Sequence, residues 1–237
     1  MFATTRLALT ALLAAALCAG CASAPPTASV AATPQIPGDV SNAEWARDMD
    51  RFAAEDAANP PPKGAVLFVG SSSIRFWTTL AQDFPGVATI NRGFGGSEVR
   101  DSTWYADRIV VPYAPRLIVL YAGDNDINSG RSPRQVRDDF VAFVQRVRRD
   151  LPHARIAYLA IKPSPSRIEQ LSAQREANAL VRAEAARLPD VDFIDVATPM
   201  LDADGQPRAE LFGPDRLHMN RAGYELWRGI VAPYLHD

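Results

Sequence analysis

From residue 65 onward, short apolar runs alternate with amphipathic stretches. The runs are "AVLFVG" (65–70), "VATIN" (87–91), "RLIVLYAG" (116–123), "ARIAYLAI" (154–161) and "VDFIDV" (191–196). Each has the length of a strand, and three are apolar on both faces, as strands covered by helices on each side must be. The clearest helical stretch places Ser132 as N-cap and Pro133 at the first helical position, with Val136, Phe140, Phe143, Val144 and Val147 on one face. A second begins with the capping-box pattern "SRIE" (166–169) and runs to about Leu188. The last starts at Asn220 and carries Tyr224, Trp227, Ile230 and Val231. Ahead of the first strand, "SNAE" from Ser41 has the capping-box form. Trp45, Met49, Phe52 and Ala53 follow at helical spacing until "NPPP" (59–62) stops the helix.

Strands and helices that alternate in this way join through right-handed crossovers into a parallel sheet. The expected fold is α/β: a three-layer α/β/α sandwich around a flavodoxin-like parallel sheet of about five strands. No internal repeat is present. Ligands bind such a sheet at the carboxyl edge of its strands, so a functional side chain should follow a strand and not precede one.

Composition narrows the classes. Of the 237 residues 47% are hydrophobic, enough for the core of one domain, expected over residues 41–237. The formal charge is −2 with both signs interspersed, so no nucleic acid and no strongly charged ligand is expected. Residues 1–21 read as a signal peptide: Arg6 gives a positive start, and "LALTALLAAAL" (7–17) is well short of the ~20 residues that span a bilayer. Residues 22–40, "ASAPPTASVAATPQIPGDV", read as a disordered tether. Both cysteines, Cys18 and Cys21, fall within the leader, so the mature chain is expected to hold no disulfide and to depend on its core.

The chain has three histidines. His153 precedes the fourth strand, on the wrong edge, and His236 is next to last, where chains fray. His218, in "GPDRLHMNRAGY", lies between the fifth strand and the last helix and can take a proton near neutral pH. Asp215, three residues earlier, is spaced to reach the imidazole Nδ1–H and fix its tautomer. The same pair also fits a capped turn with a histidine packed beside a helix. Ser71, Ser72 and Ser73 come directly after the first strand, where one is a nucleophile or simply a helix N-cap. A G-x-S-x-G elbow would need glycine where Ile74 stands, which excludes the α/β-hydrolase family.

After the second strand, "NRGFGGSE" (91–98) has Glu98 where a dinucleotide fingerprint needs its third glycine. That leaves an ordinary flexible turn, or a place where the Gly96 N–H faces a substrate. After the third strand, Asp124, Asp126 and Asn128 imitate the start of a calcium loop. Ser129 and Gln135 stand where the glycine and the bidentate glutamate are required, so no metal is expected. Asn125, between the two aspartates, offers an amide that can donate to an oxyanion. Each signal is weak alone. Together, four loops bring a hydroxyl, a backbone donor, an amide and an imidazole–carboxylate pair to one sheet edge.

Their order and spacing resemble the SGNH hydrolases, also called the GDSL family. "FVGSSS" (68–73), "NRGFGG" (91–96), "GDND" (123–126) and "DRLH" (215–218) match its four blocks. The resemblance covers residues 64–235 and implies Ser72 as nucleophile, with Asp215 and His218 completing a triad. It also implies an oxyanion hole from the N–H groups of Ser72 and Gly96 and the Asn125 amide, with no cofactor. Ser71 departs from the pattern, since the family's usual residue there is Asp. "CAGCAS" (18–23) resembles a bacterial lipobox with Cys21 lipidated. Cys18 stands where leucine is usual, so ordinary signal cleavage stays open, while Pro25 argues against a cut just after "ASA" (22–24).

The function expected from this resemblance is a serine esterase acting through an acyl-enzyme on carboxylic esters. The absence of a long hydrophobic lid segment favours short acyl groups such as acetyl. The expected partner is a small ester or an acylated carbohydrate or lipid, with membrane contact only through the N-terminal lipid anchor. The expected location is the bacterial cell envelope, facing the periplasm, or a soluble periplasmic or secreted form. The alternatives are an O-acyltransferase using the same triad on a carbohydrate acceptor and a non-catalytic envelope-binding lipoprotein. Trp77, Trp104 and Tyr105 follow the first two loops and are assigned to the core.

Overall fold

The computed structural model describes residue 1, residue 40 and residues 43–236. All but the first residue of the leader, with Cys21, the Ser41 cap and all but the last residue of the tether lie outside the described residues. Five parallel strands form one sheet: β1 Val66–Gly70, β2 Thr89–Gly93, β3 Leu117–Tyr121, β4 Arg155–Leu159 and β5 Val191–Ile194. Their order, β2-β1-β3-β4-β5, is the flavodoxin-like one, and its direction switches at β1 and β3. Every residue of β1 and β3 is buried, which explains their two-faced apolar sequences.

β2 begins two residues later than its apolar run suggests, because pairing with β1 runs from Val66–Thr89 to Gly70–Gly93. Its polar residues are partnered. Asn91 donates to the Ile74 carbonyl at 2.7 Å, and Arg92 donates to the Tyr113 hydroxyl at 2.7 Å and pairs with Asp56.

Helices cover both faces and give the expected three layers. On one face, the helices Ala43–Ala58, Pro133–Asp150 and Leu171–Ala185 contribute to a core that includes Trp45, Phe52, Phe140, Phe143 and Val181. On the other, Tyr224, Trp227 and Val231 of the helix Arg221–Val231 pack with Trp77, Leu80 and Phe84. Ser132 caps its helix reciprocally with Gln135: Gln135 N donates to Ser132 Oγ at 3.3 Å, and Ser132 N donates to Gln135 Oε1 at 2.8 Å. Ala53 is exposed, since the first helix buries Trp45, Met49 and Phe52 and continues that stripe with Asp56, which meets Arg92.

The helix expected from Ser166 does not start there. Pro165–Gln170 is a 3-10 segment, and the α-helix begins at Leu171. The cause is Arg167, whose backbone (φ −121°, ψ 29°) leaves the helical region. Trp77 and Tyr105 are buried in the core and Trp104 packs against it. Among the described residues, no helix is long and apolar enough to cross a membrane.

Candidate active site

β1 ends at Gly70, whose φ is +131° and where a Cβ would lie 1.9 Å from the Tyr121 carbonyl oxygen. Only glycine lets the chain pass so close to β3 and turn out of the sheet. Ser71 N then donates to that same carbonyl at 2.9 Å, and one helical turn, Ser72–Arg75, follows. This helix is only four residues long, so its axial field is that of a single turn. Just beyond it, Trp77 is buried in the core.

The three serines separate cleanly. Ser71 and Ser73 are buried, their hydroxyls have no partner among the described residues, and Ser71 at the N-cap makes no side-chain cap. Ser72 Oγ lies 2.9 Å from His218 Nε2. His218 Nδ1 lies 2.6 Å from Asp215 Oδ2. A carboxylate only accepts, so Nδ1 carries the proton and Nε2 is free to accept from the serine hydroxyl.

Asp215 is itself held by its loop. Oδ1 accepts from the backbone N–H of Leu217 and of His218, each at 3.0 Å. The Leu217 N–H above all, then the imidazole, holds the Asp215 carboxyl down at about 2. Gly213 N donates to the His218 carbonyl at 2.8 Å and closes the loop. Just beyond, Asn220 caps the last helix by accepting from Gly223 N at 3.2 Å.

The second and third loops are stitched together by an amide. Asn125 Nδ2 donates to the Ser97 carbonyl at 3.1 Å, and Asn125 Oδ1 accepts from Arg167 Nη2 at 3.0 Å. Among the described residues the second Asn125 Nδ2 hydrogen has no acceptor. Gly96, beside Ser97, sits at φ +87°, which other residues rarely adopt. Among the described residues, the N–H groups of Ser72 and Gly96 have no protein acceptor. Trp45 fastens this loop from outside: its Nε1 donates to the Gly95 carbonyl at 2.9 Å, and its ring meets Phe94 edge-on at 5.8 Å.

The two aspartates flanking Asn125 serve different partners. Asp124 Oδ2 is 3.3 Å from Lys162 Nζ and 3.4 Å from Arg167 Nη1. Asp126 Oδ1 accepts from Val99 N at 3.1 Å, and burial, then the charge of Glu98, pushes its carboxyl up to about 8. Four of the five loops carry the residues singled out from sequence. The residues that reading missed are Lys162 and Arg167 after β4, Trp45 and Phe76. The only sequence signal for Phe76 was its position one helical turn beyond Ser72.

The arrangement can do acyl transfer: a hydroxyl, a base with an anchored carboxylate, and donors free to meet a developing oxyanion. The profile of the GDSL-like lipase/acylhydrolase family matches residues 70–226. Among solved structures, a Streptococcus pneumonia protein named as a platelet activating factor is similar at 24% identity and TM-score 0.72, over 81% of this chain and 93% of that one. A Bacteroides fragilis protein named as an acylhydrolase is similar at 22% identity and TM-score 0.71, over 82% and 98%. A variant of an acetyl-xylooligosaccharide esterase from Geobacillus Stearmophilus is similar at 14% identity and TM-score 0.60, over 75% and 96%. No curated protein matches the sequence. At these identities the structures speak for the fold, and the family profile, spanning most of the chain, speaks for descent. The chain belongs to the GDSL-like lipase/acylhydrolase family, the SGNH hydrolases, and its general chemistry is ester hydrolysis.

Proposed function

We propose that the protein is a serine esterase that hydrolyses short-chain, chiefly acetyl, carboxylic esters through an acyl-enzyme. The observation that carries this reading is the continuous chain from Ser72 Oγ through His218 to Asp215, with contacts of 2.9 Å and 2.6 Å. Ser72 Oγ attacks the ester carbonyl as its proton passes to Nε2. The tetrahedral oxyanion takes the N–H groups of Ser72 and Gly96 and the uncommitted N–H of Asn125. As it collapses, the bond to the alcohol breaks and His218 returns the proton to the leaving oxygen. Water, deprotonated by the same ring, then releases the acid and restores the serine.

The acetyl preference draws support from the lack of a long hydrophobic lid in the sequence. The structural likeness to an acetyl-xylooligosaccharide esterase makes acetylated polysaccharide a substrate to try. The leader-like N-terminus and Cys21 favour a lipid-anchored protein of the bacterial envelope. Transfer of the acyl group to a sugar hydroxyl would use the same residues, so product analysis with an acceptor present separates the two. The test is a series of p-nitrophenyl esters from acetate to laurate, run beside acetylated polysaccharides. Activity highest on acetyl groups supports the proposal, and a maximum at the long chains overturns it.

A further inference from the structure

The β4 loop, "IKPSPSR" (161–167), is the one carboxyl-edge loop without a role in the sequence analysis. It delivers two basic side chains into the interior. Lys162 and Asp124 expose only 1% and 4% of their side chains, and Arg167 only 12%. Both cations converge on the same Asp124 oxygen, and Asp124 Oδ1 accepts the Asn125 backbone N–H at 3.0 Å. Arg167 reaches further, to Asn125 Oδ1 at 3.0 Å. A guanidinium can only donate and the Ser97 carbonyl can only accept, so the Asn125 amide has one possible orientation. At the same residue the backbone leaves helical geometry, inside what its sequence marks as a helix start. Ser166 N donates to the Arg216 carbonyl at 3.1 Å, so the same segment also braces the Asp215–His218 loop.

We propose that Arg167 is a positioning residue of the oxyanion hole, with Lys162 and Asp124 as its buried anchor. It clamps Asn125 Oδ1 so that one Nδ2 hydrogen stays on the Ser97 carbonyl and the other is presented to the oxyanion. A charged donor on the amide oxygen also makes the amide N–H a stronger donor. The inference rests on the esterase reading of this site and adds to it a residue that touches no reacting atom.

The test is a double-mutant cycle read by the rate at which a fluorophosphonate labels Ser72, with kcat and KM on an acetate ester alongside. Removing an oxyanion donor costs roughly 10²–10³ in turnover, and losing its alignment should cost less, about tenfold. Arg167→Leu is therefore expected to label about tenfold more slowly, with KM unchanged, and Arg167→Lys to recover part of the loss. In an Asn125→Ala background, Arg167→Leu should cost nothing further. An equal loss in both backgrounds, or no loss in either, overturns the inference. Should Arg167→Leu not fold, Arg167→Gln is read through the same cycle. A parent protein that does not label would sink the esterase reading and this inference with it. A parent that labels no faster than Arg167→Leu sinks this inference alone.

Discussion

Phe76 sets its ring edge-on against the imidazole of His218, with centroids 4.8 Å apart and planes at 84°. Unlike the buried aromatics of the core, Phe76 is 41% exposed. The proposed mechanism has His218 hand its proton to the departing alcohol, so a leaving group beside the imidazole is predicted to touch this exposed ring. Phe76→Ala is expected to raise KM for p-nitrophenyl and benzyl acetate by about threefold to tenfold, the size of one aromatic contact. Methyl acetate, with nothing to lay on the ring, should be affected least. Steady-state kinetics on esters of one acid with different alcohols checks this, and an equal loss on all of them contradicts it.

Arg221, the first residue of the helix that follows His218, grips Asp83 on both oxygens, at 2.8 and 2.7 Å. Trp77 Nε1 and Thr79 Oγ1 donate to the same carboxylate at 2.7 and 2.8 Å. These bonds, the one from Arg221 first, hold the Asp83 carboxyl down at about 2. A depressed carboxyl adds stability that is complete above its unfolded value, about 4, and is lost as the pH falls towards 2. Asp83→Asn should therefore lower the melting temperature at neutral pH and flatten its fall between about pH 4 and 2. Melting curves across that window measure both effects.

Asp126 behaves in the opposite sense. Its buried carboxyl keeps its proton until about 8, whereas an unfolded aspartate loses it near 4. Between those values the folded state binds the extra proton, so this group makes stability fall as the pH rises from about 4 to 8. Asn can still accept from Val99 N. Asp126→Asn is expected to remove that decline and to melt higher than the parent at pH near 8. Thermal unfolding at a series of pH values decides it.

The neighbours of Ser72 offer an internal control. Among the described residues the buried Ser71 and Ser73 hydroxyls have no partners, so removing either leaves no group there newly stranded. Ser71→Ala and Ser73→Ala should change stability by less than about 1 kcal/mol and keep most of the activity. Loss of activity on replacing Ser71 would show that this position holds the nucleophile's loop in some further way.

Much of this architecture was open to reading because its signals are local. β1 and β3 announce themselves by apolar runs of strand length, and the Ser132 cap stands beside the residues it caps. The four loop motifs each lie within a few residues, so the carboxyl-edge filter gathered the three serines, the glycine turn, Asn125, Asp215 and His218, and the family resemblance singled out Ser72 and Gly96. What escaped was settled at long range. The start of β2 is fixed by pairing with β1, not by its own apolar run. Arg167 bonds Asn125 across 42 positions, and "SRIE" reads locally as a helix cap that tertiary contacts override. The helix after Ser72 is a single turn, a length that no periodicity reveals.

The Ser72 hydroxyl, activated by His218, is the proposed attacking group. The most direct measurement is the rate of p-nitrophenyl acetate hydrolysis by purified, folded Ser72→Ala beside the parent. A triad nucleophile of this kind predicts a loss of roughly 10⁴-fold or more. Hydrolysis by Ser72→Ala at the parent's rate would contradict it.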